Sequence, residues 1–576
     1  MLPFLQWHHK LPIPSFFSEW LAFGLGLLAA MPLLFRRYWE PMHIPHSLLF
    51  LLGFIGILIA HVVLQRVAYP QQAFVAAMYI LWGALMLWLG NQLGRELGVE
   101  CIARVLAWAL LVGAVISAAM GLIQHFGWPT PLNSIINHKV SDAVMANLGQ
   151  PNHLSNYLAM GLASLLYLWG DGKLNRWAAL AFGLLLLFVL ALTGSRSSWL
   201  YLGAFALLAW VWGKRDAPRS GLFKAVLGML LAFAVMQWLA HLSPMQGVGG
   251  TITPTERLFE LASGVDIRLG LWREALQVWL AHPFVGAGFG QFAWQHFLLA
   301  SESAVTQSPA TLLPSPLAGA MFNHSHNLLA QVAAEFGSVG LVLLIGGAGY
   351  WFKGQVRRPA TLSGWWVAAI LAVLGLHSLL EYPLWYAYFL GLAAILIGAT
   401  DTHTLRLKLS GLMRVAFGLM LVLGWVSLVR IADTYSQLER LFVRLAPPSV
   451  QEIERVLRHV QHESILTPYS EFVYTLAIAP NRSQSEAQQL LNSAVLHFAP
   501  TEQVVYRQAL LLALQGRSTD AQVMLKRALA LYPSTAENFL AETSQLEPEA
   551  RRDVEPLLDS IRIFLQEQKK HAIHPK

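Results

Sequence analysis

Apolar stretches of about twenty residues, one after another, constrain this chain more than any other feature. Runs long enough to cross a bilayer, roughly 17–25 residues, fall at about 17–35, 47–64, 72–90, 102–122, 154–170, 177–194, 197–213, 222–241, 327–352, 364–380, 384–400 and 411–431. The spacing predicts an all-α, polytopic integral membrane protein of about twelve transmembrane helices. Only "EYP" at 381–383 separates the tenth run from the eleventh, so the two are read as one broken element. Composition agrees: 56% of the 576 residues are hydrophobic and 12% charged, against roughly 25% charged in soluble domains. Near the N-terminus no short apolar core is followed by a small-residue cleavage site, so no removable signal peptide is expected.

Lys and Arg alternate by side. One set of loops holds Arg36, Arg37, Arg95, Lys173, Arg176, Lys214, Arg215, Arg219, Lys224, Lys353, Arg357, Arg358, Arg406 and Lys408. The opposite short loops hold little beyond Arg66, Lys139 and Arg196. The positive-inside rule puts the first set in the cytoplasm. Both termini, the 122–153 loop, the long 242–326 loop and everything from about 432 onward then face outward. In a bacterium that means a multi-pass inner-membrane protein with these segments in the periplasm. The net charge of +7 is accounted for by this sidedness, and no nucleic-acid partner is expected. A single cysteine, Cys101, gives neither a disulfide framework nor a thiolate metal site.

Two domains follow: residues 1–431 in the membrane, with the 242–326 loop outside it, and 432–576 as ordinary helix-forming sequence. Within the second, "AVLHFAP" (494–500) and "ALALYPS" (528–534) lie in register 34 residues apart, with "LQGRSTDA" between them. That period resembles a tetratricopeptide repeat. It is read either as a partner-docking surface or as a helical cap on the membrane domain.

Some cations break the topology rule. Arg196 sits in "ALTGSRSSWL" (191–200), a tight turn at the outer face, with no acid nearby in sequence. The outer loop adds Arg257, Arg268 and Arg273, the last two in "RLGLWREALQVWLAHPFVGAGFG" (268–290). In that stretch Leu271, Trp272, Ala275, Leu276, Trp279 and Leu280 recur at helical spacing. Asp266 is a candidate N-cap, while His282-Pro283 and the glycines end the helix. An amphipathic helix of this kind would lie along the outer membrane interface. Arg257 and Arg273 adjoin Glu256 and Glu274 and are read as local ion pairs or headgroup contacts. Arg196 and Arg268 suggest a diphosphate site, because guanidinium presents planar, paired donors to phosphate oxygens.

A third feature is "MFNHSHNLLAQVAAEFGSVGLV" (321–342), where Asn323, His324 and His326 crowd the start of an apolar run. If the helix runs on from His326, Gly337 lies eleven positions later, about 20° past whole turns, and Gly340 lies about 40° to the other side. Histidine and glycines would share one face, and small residues there would admit a neighbouring helix. Two histidines two apart could hold a metal, but carboxylate and thiol partners are scarce, so neither metal nor cofactor is expected. An imidazole titrating near neutrality suits a proton acceptor for a hydroxyl nucleophile.

His326-Asn327, nine residues, Gly337, two residues and Gly340 resemble a signature of the O-antigen ligase superfamily. That superfamily comprises lipid-A-core ligases, Wzy polymerases and PglL/PilO-type protein O-oligosaccharyltransferases. "GQPNHLSNYLA" (149–159), "TGSRSSW" (193–199), "RLGLWREAL" (268–276) and "HSLLEYPLWYAYF" (377–389) are similar to the protein-glycosylating branch. The resemblance covers most of residues 120–430.

It implies an enzyme that takes a glycan preassembled on undecaprenyl diphosphate and transfers it whole to a Ser or Thr hydroxyl of a periplasmic protein, often a pilin. By motif, His326 would activate the hydroxyl, and Arg196 and Arg268 would clamp the diphosphate. Gln150, Asn152, His153 and Tyr382 would line the acceptor or sugar pocket, with His324 and Asn327 as neighbours of the base. Two arginines would stabilise the leaving diphosphate without a metal, and direct displacement would invert the anomeric centre. Glycosidase-like chemistry needs two carboxylates across the bond. Glu335 and Glu381 sit in different motifs, and Glu335 lies about 180° from His326 on a helix. Lipopolysaccharide ligation is the alternative within the superfamily, disfavoured by "QPNHLSNYLA", "EYPLWYAYF" and the soluble C-terminal domain. A lipid-glycan transporter is the alternative from another class, but such proteins carry ionisable groups within their spans, where acids here are nearly absent.

Overall fold

The structure is a computed structural model that describes residues 1–139, 142–215, 220–242, 245–248, 250–261, 267–408, 411–442, 450–463, 465–543 and 546–573. Asp266 and Arg219 lie outside the described residues. In chain order the helices are α1 (Phe16–Ala30), α2 (Ser47–Val63), α3 (Pro70–Phe126), α4 (Pro151–Gly170), α5 (Arg176–Leu192), α6 (Ser197–Arg215) and α7 (Ser220–Ala240). There follow α8 (Pro254–Leu261), α9 (Ile267–Ala281), α10 (Phe292–Ala300), α11 (Leu328–Val356), α12 (Leu362–Ser378), α13 (Ala387–Thr400) and α14 (Gly411–Arg440). The last seven are α15 (Val450–Glu463), α16 (Thr467–Ala477), α17 (Ser485–Phe498), α18 (Glu502–Leu514), α19 (Ser518–Leu531), α20 (Ala536–Thr543) and α21 (Pro548–Ile573). β1 (Met42–Pro45) and β2 (Thr404–Leu407) form one antiparallel ladder, Met42 opposite Leu407.

The protein is an all-α, multi-pass membrane protein. Among the described residues, five helical stretches suffice by length and composition to cross a bilayer: Phe16–Leu34, Pro70–Phe126, Gly221–Ala240, Leu328–Val356 and Gly411–Arg440. Two apolar runs are fused in α3, where Gly98 (φ 77) breaks the helical path. The tenth and eleventh runs form separate helices, α12 and α13, because a loop at 379–386 with a short 3-10 turn at Pro383–Trp385 intervenes.

The chain divides into two compact units. One comprises Met1–Gly53, Tyr79–Asp266 and Leu343–Arg430, the other Phe54–Met78, Ile267–Val342 and Ile431–Lys576. In the first, α4 is the central element. Leu154, Tyr157, Leu158, Leu162 and Leu168 are all fully buried, as expected of a helix apolar all round. Its neighbours α5, α6 and α12 belong to the same core. Loops of like charge class bond to one another. Arg215 donates to the carbonyls of Val356 and Arg358, and Gln355 donates to that of Thr400. On the N-terminal segment, His9 bonds to the carbonyl of Asn147, whose side chain donates to Leu5.

In the second unit, helices from α17 to α21 enclose an apolar core that also takes in Phe297, Ala304 and Leu312 of the outer loop. The C-terminal end of α19 leaves carbonyls unsatisfied, and that loop supplies donors. Ser315 N–H bonds to Ala530 and Gly319 N–H to Leu531, at 2.9 and 2.7 Å. Arg527 donates to the Leu298 carbonyl and the Ser301 hydroxyl. The Tyr532 hydroxyl reaches Pro500 and the Tyr506 hydroxyl reaches Tyr532, tying together the ends of the two stretches that repeat at 34 residues.

Candidate functional site

The histidine motif does not form a continuous helix. Helix α11 begins at Leu328, because Asn327 ends the loop as an N-cap: its Oδ1 accepts from Leu329 N–H and Ala330 N–H at 3.0 and 3.1 Å. His326 precedes the cap with φ 53, a left-handed conformation that non-glycine residues seldom adopt. Buried Gln331 holds this turn, its Oε1 accepting from Ser325 N–H at 2.7 Å. The Ser325 hydroxyl donates to the Asn327 carbonyl at 3.1 Å. His326 is therefore presented on a strained loop at the mouth of the helix.

Gly337 likewise breaks the helix, with φ 65 and ψ −162. The expectation that His326, Gly337 and Gly340 share one helical face is thus corrected at both ends. The break would orphan backbone groups, and the segment after α9 satisfies them. Ala287 and Gly288 donate to the carbonyls of Ala334 and Glu335, while Ser338 and Val339 donate to those of Pro283 and Phe284. A side-chain carbon on Gly337 would collide with the Phe284 carbonyl and lie 2.6 Å from the Gly286 nitrogen. The kink also turns Phe336 onto Gly340, where an added carbon would strike its Cβ. The glycine spacing serves a backbone-to-backbone clasp.

The glycine-rich part of this clasp, residues 286–290, is fixed from its other side. His61 Nε2 donates to the Val285 carbonyl at 2.7 Å, and Arg66 donates to that of Gly286. The buried carboxylate of Glu335 accepts from Phe292 N–H at 3.2 Å and so caps α10. Burial, then the charge of Arg66, hold the His282 imidazole below its ordinary value.

Helix α9 carries Arg268, partly buried, as its second residue. Leu271, Ala275 and Val278 pack on Phe292 and Ala334, with Phe322 and Ala330 at the margin. Leu276 and Leu280 are exposed, so the apolar stripe expected to include them is divided between two faces. Glu274 turns inward, and His296 Nδ1 donates to it at 2.7 Å. It is therefore spent on His296, which corrects the pairing expected with Arg273. Glu256 accepts from the Thr253 amide and hydroxyl. The His296 ring packs edge-on against Phe322, and Phe322 against His326.

In the other unit, Arg196 emerges from a turn whose neighbours Thr193, Ser195 and Ser198 are buried. The Ser195 hydroxyl donates to Asn152 Oδ1, and Asn152 Nδ2 donates to Glu381 Oε1, both at 2.8 Å. Ser155 and Ser198 share a second bond of 2.9 Å. His153 is buried against His377, Tyr386 and Phe389, and His377 Nδ1 bonds the Tyr201 hydroxyl at 2.9 Å. Tyr382 stacks on Tyr386. Burial, then the Glu381 charge, push the Tyr382 phenol above its ordinary value. Gln150 is the residue before Pro151 of α4 and is partly buried, as is His324 beside the His326 turn.

Three sequence motifs thus meet in one unit: Gln150, Asn152 and His153 at the start of α4, the Arg196 turn, and the 379–386 loop with Tyr382. The other unit joins the His326 loop to the helix bearing Arg268. The sequence reading weighs Glu381 only as half of a carboxylate pair, sets Glu274 beside Arg273 without His296, and does not connect the glycines at 286–290 with Gly337. Those glycines had a signal, three in five residues, which was read as a helix stop.

Residues 180–345 match the family model described as O-antigen ligase, residues 144–169 that of protein glycosylation ligase, and residues 365–546 that of the C-terminal part of virulence factor membrane-bound polymerase. The chain is similar to the general O-oligosaccharyltransferase of Acinetobacter baylyi (strain ATCC 33305 / BD413 / ADP1). The two are 25% identical over 412 residues, which make up 70% of this chain and 68% of that protein. It is also similar to the ComP-specific O-oligosaccharyltransferase of the same strain, 25% identical over 398 residues, 67% of each chain.

Proposed function

Because the chain belongs to the O-antigen ligase superfamily, we propose that it transfers a preassembled glycan en bloc from undecaprenyl diphosphate to Ser or Thr hydroxyls of periplasmic proteins such as pilins. The observation that carries this reading is the presentation of His326: an imidazole on a strained loop, outside the helix it precedes. Strain of this kind persists where the surrounding structure over-determines it, and it clusters at active sites. Both relatives are O-oligosaccharyltransferases.

In the proposed reaction the acceptor hydroxyl gives its proton to His326 as its oxygen attacks the anomeric carbon. The bond from that carbon to the diphosphate oxygen breaks, and the electron pair leaves on undecaprenyl diphosphate. Arg196 and Arg268 stabilise that developing charge, a term that typically contributes a factor of roughly 10²–10³ per donor. Attack opposite the leaving group inverts the anomeric centre. Gln150, His153 and Tyr382 line the acceptor or sugar side, and His324 is a neighbour of the base outside that lining.

The reading places twelve spans in the inner membrane with the site facing the periplasm. Supporting this, the loops assigned to the cytoplasm pair among themselves through β1–β2 and Arg215. Segments assigned outward also pair, Lys139 with the carbonyls of Val248 and Gly250, and Tyr69 with Glu471. The C-terminal helices are tetratricopeptide-like and cap the outer loop.

The test is transfer by purified protein from lipid-linked glycan to a candidate acceptor. Product is expected from the wild type and from His324→Ala but not from His326→Ala. Full transfer by His326→Ala would remove the central residue, and glycan appearing on a lipid A core in place of protein would redirect the acceptor.

A further inference from the structure

We propose that Glu381 and Asn152 are positioning residues for Arg196, holding the turn that carries its guanidinium in the geometry a diphosphate needs. The inference rests on the diphosphate-clamp reading of Arg196.

Three motifs far apart in sequence supply the parts. Glu381, 2% exposed, lies in the loop between α12 and α13, its own N–H bonded to the His377 carbonyl at 2.7 Å. Its Oε1 accepts from Asn152 Nδ2 at 2.8 Å. Asn152 Oδ1 in turn accepts from the hydroxyl of Ser195, 1% exposed, at 2.8 Å. The carboxylate can only accept from the amide nitrogen, so it fixes which way the amide points. That orientation leaves the amide oxygen to receive the hydroxyl. A buried carboxylate therefore sets the position of the residue next to Arg196.

The remainder of the turn leaves little freedom. Ser198 is bonded to Ser155 of α4. Trp199 donates to the Thr255 hydroxyl, itself bonded to Gln237. With both ends of its amide engaged inside the protein, Asn152 is better described as a relay than as a sugar ligand. Holding the guanidinium in place before substrate arrives is what electrostatic stabilisation of a leaving group requires.

The experiment is a rescue series with the full-length enzyme, lipid-linked glycan and a protein acceptor, reading donor KM, kcat and thermal stability. Asn152→Asp sets carboxylate against carboxylate, and kcat/KM for the donor is expected to fall about 10–100-fold. Adding Glu381→Gln restores a donor–acceptor pair, because the Gln amide donates to Asp and Asp still accepts from Ser195. This double variant is expected to recover to within about threefold of wild type. Ser195→Ala is expected to lose activity and Ser195→Thr to keep it, and in an Arg196→Ala background Ser195→Ala should cost almost nothing more.

No recovery in the Asn152→Asp/Glu381→Gln variant despite a normal melting temperature would overturn the relay and point to direct substrate contact by Glu381. Independent, multiplying losses in Ser195→Ala and Arg196→Ala would overturn it as well. Full activity in Arg196→Ala is a separate result: it would remove the clamp reading itself, and the relay with it.

Discussion

Glu274 on α9 and His296 on α10 meet through a 2.7 Å hydrogen bond with side-chain exposures of only 10% and 3%. The pair pins the helix bearing Arg268 to the helix whose ring neighbour, Phe322, abuts His326. Breaking a buried pair from one side leaves the other group unsatisfied, at a cost of about 3–5 kcal/mol. Either Glu274→Leu or His296→Leu should therefore lower the melting temperature of the detergent-solubilised protein markedly. The double variant should recover most of the loss. If each single variant melts with the wild type, the pair is not a structural tie.

Gly337 is expected to be intolerant for a reason unrelated to helix packing. Gly337→Ala forces a side chain into the clasp at Phe284 and Gly286 and into a left-handed backbone. Overpacking and strain together should cost about 2–4 kcal/mol. Hydrogen exchange should show faster opening of residues 283–288 in this variant. Unchanged protection there would contradict the clasp.

Charge and geometry at the proposed diphosphate site can be separated. Lysine keeps the charge of Arg196 or Arg268 and loses the paired donors. Alanine variants are expected to lose about 10²–10³-fold in kcat/KM for the lipid-linked donor, with lysine variants between alanine and wild type. Lysine variants matching wild type would show that a point charge suffices.

The His282 imidazole is held below its ordinary value by burial and by Arg66. Its folded-state pKa is thus below the unfolded one, so the unfolded chain takes up the proton first as pH falls. The contribution is constant above about 6.5 and stability declines as pH drops from there toward the folded value. His282→Gln should flatten this part of the melting-temperature profile between about pH 7.5 and 5.5. A profile identical to that of wild type would rule His282 out as its source.

Helix identity was legible in the sequence because runs of apolar residues report lipid directly. Most of each apolar run lies in a helix of the structure. His326, Arg196 and Arg268 also stood out, since a cation or imidazole beside a span is conspicuous against so apolar a chain. Periodicity misled at α11, because a rotation of 100° per residue assumes an unbroken helix. Asn327, a favoured N-cap residue directly ahead of an apolar run, was a local sign of the later start, whereas nothing local shows that Gly337 leaves the helix.

By itself the sequence determined where the backbone has to satisfy its own hydrogen bonds, and which rare polar side chains stand out at the ends of those segments. Partnerships were decided only by the tertiary structure. Glu381 with Asn152, Glu274 with His296, and Gly337 with the 283–288 segment join residues at least 22 positions apart. The physical reason is that a buried polar group needs a partner but does not specify where along the chain that partner lies, so only the folded backbone brings the two together.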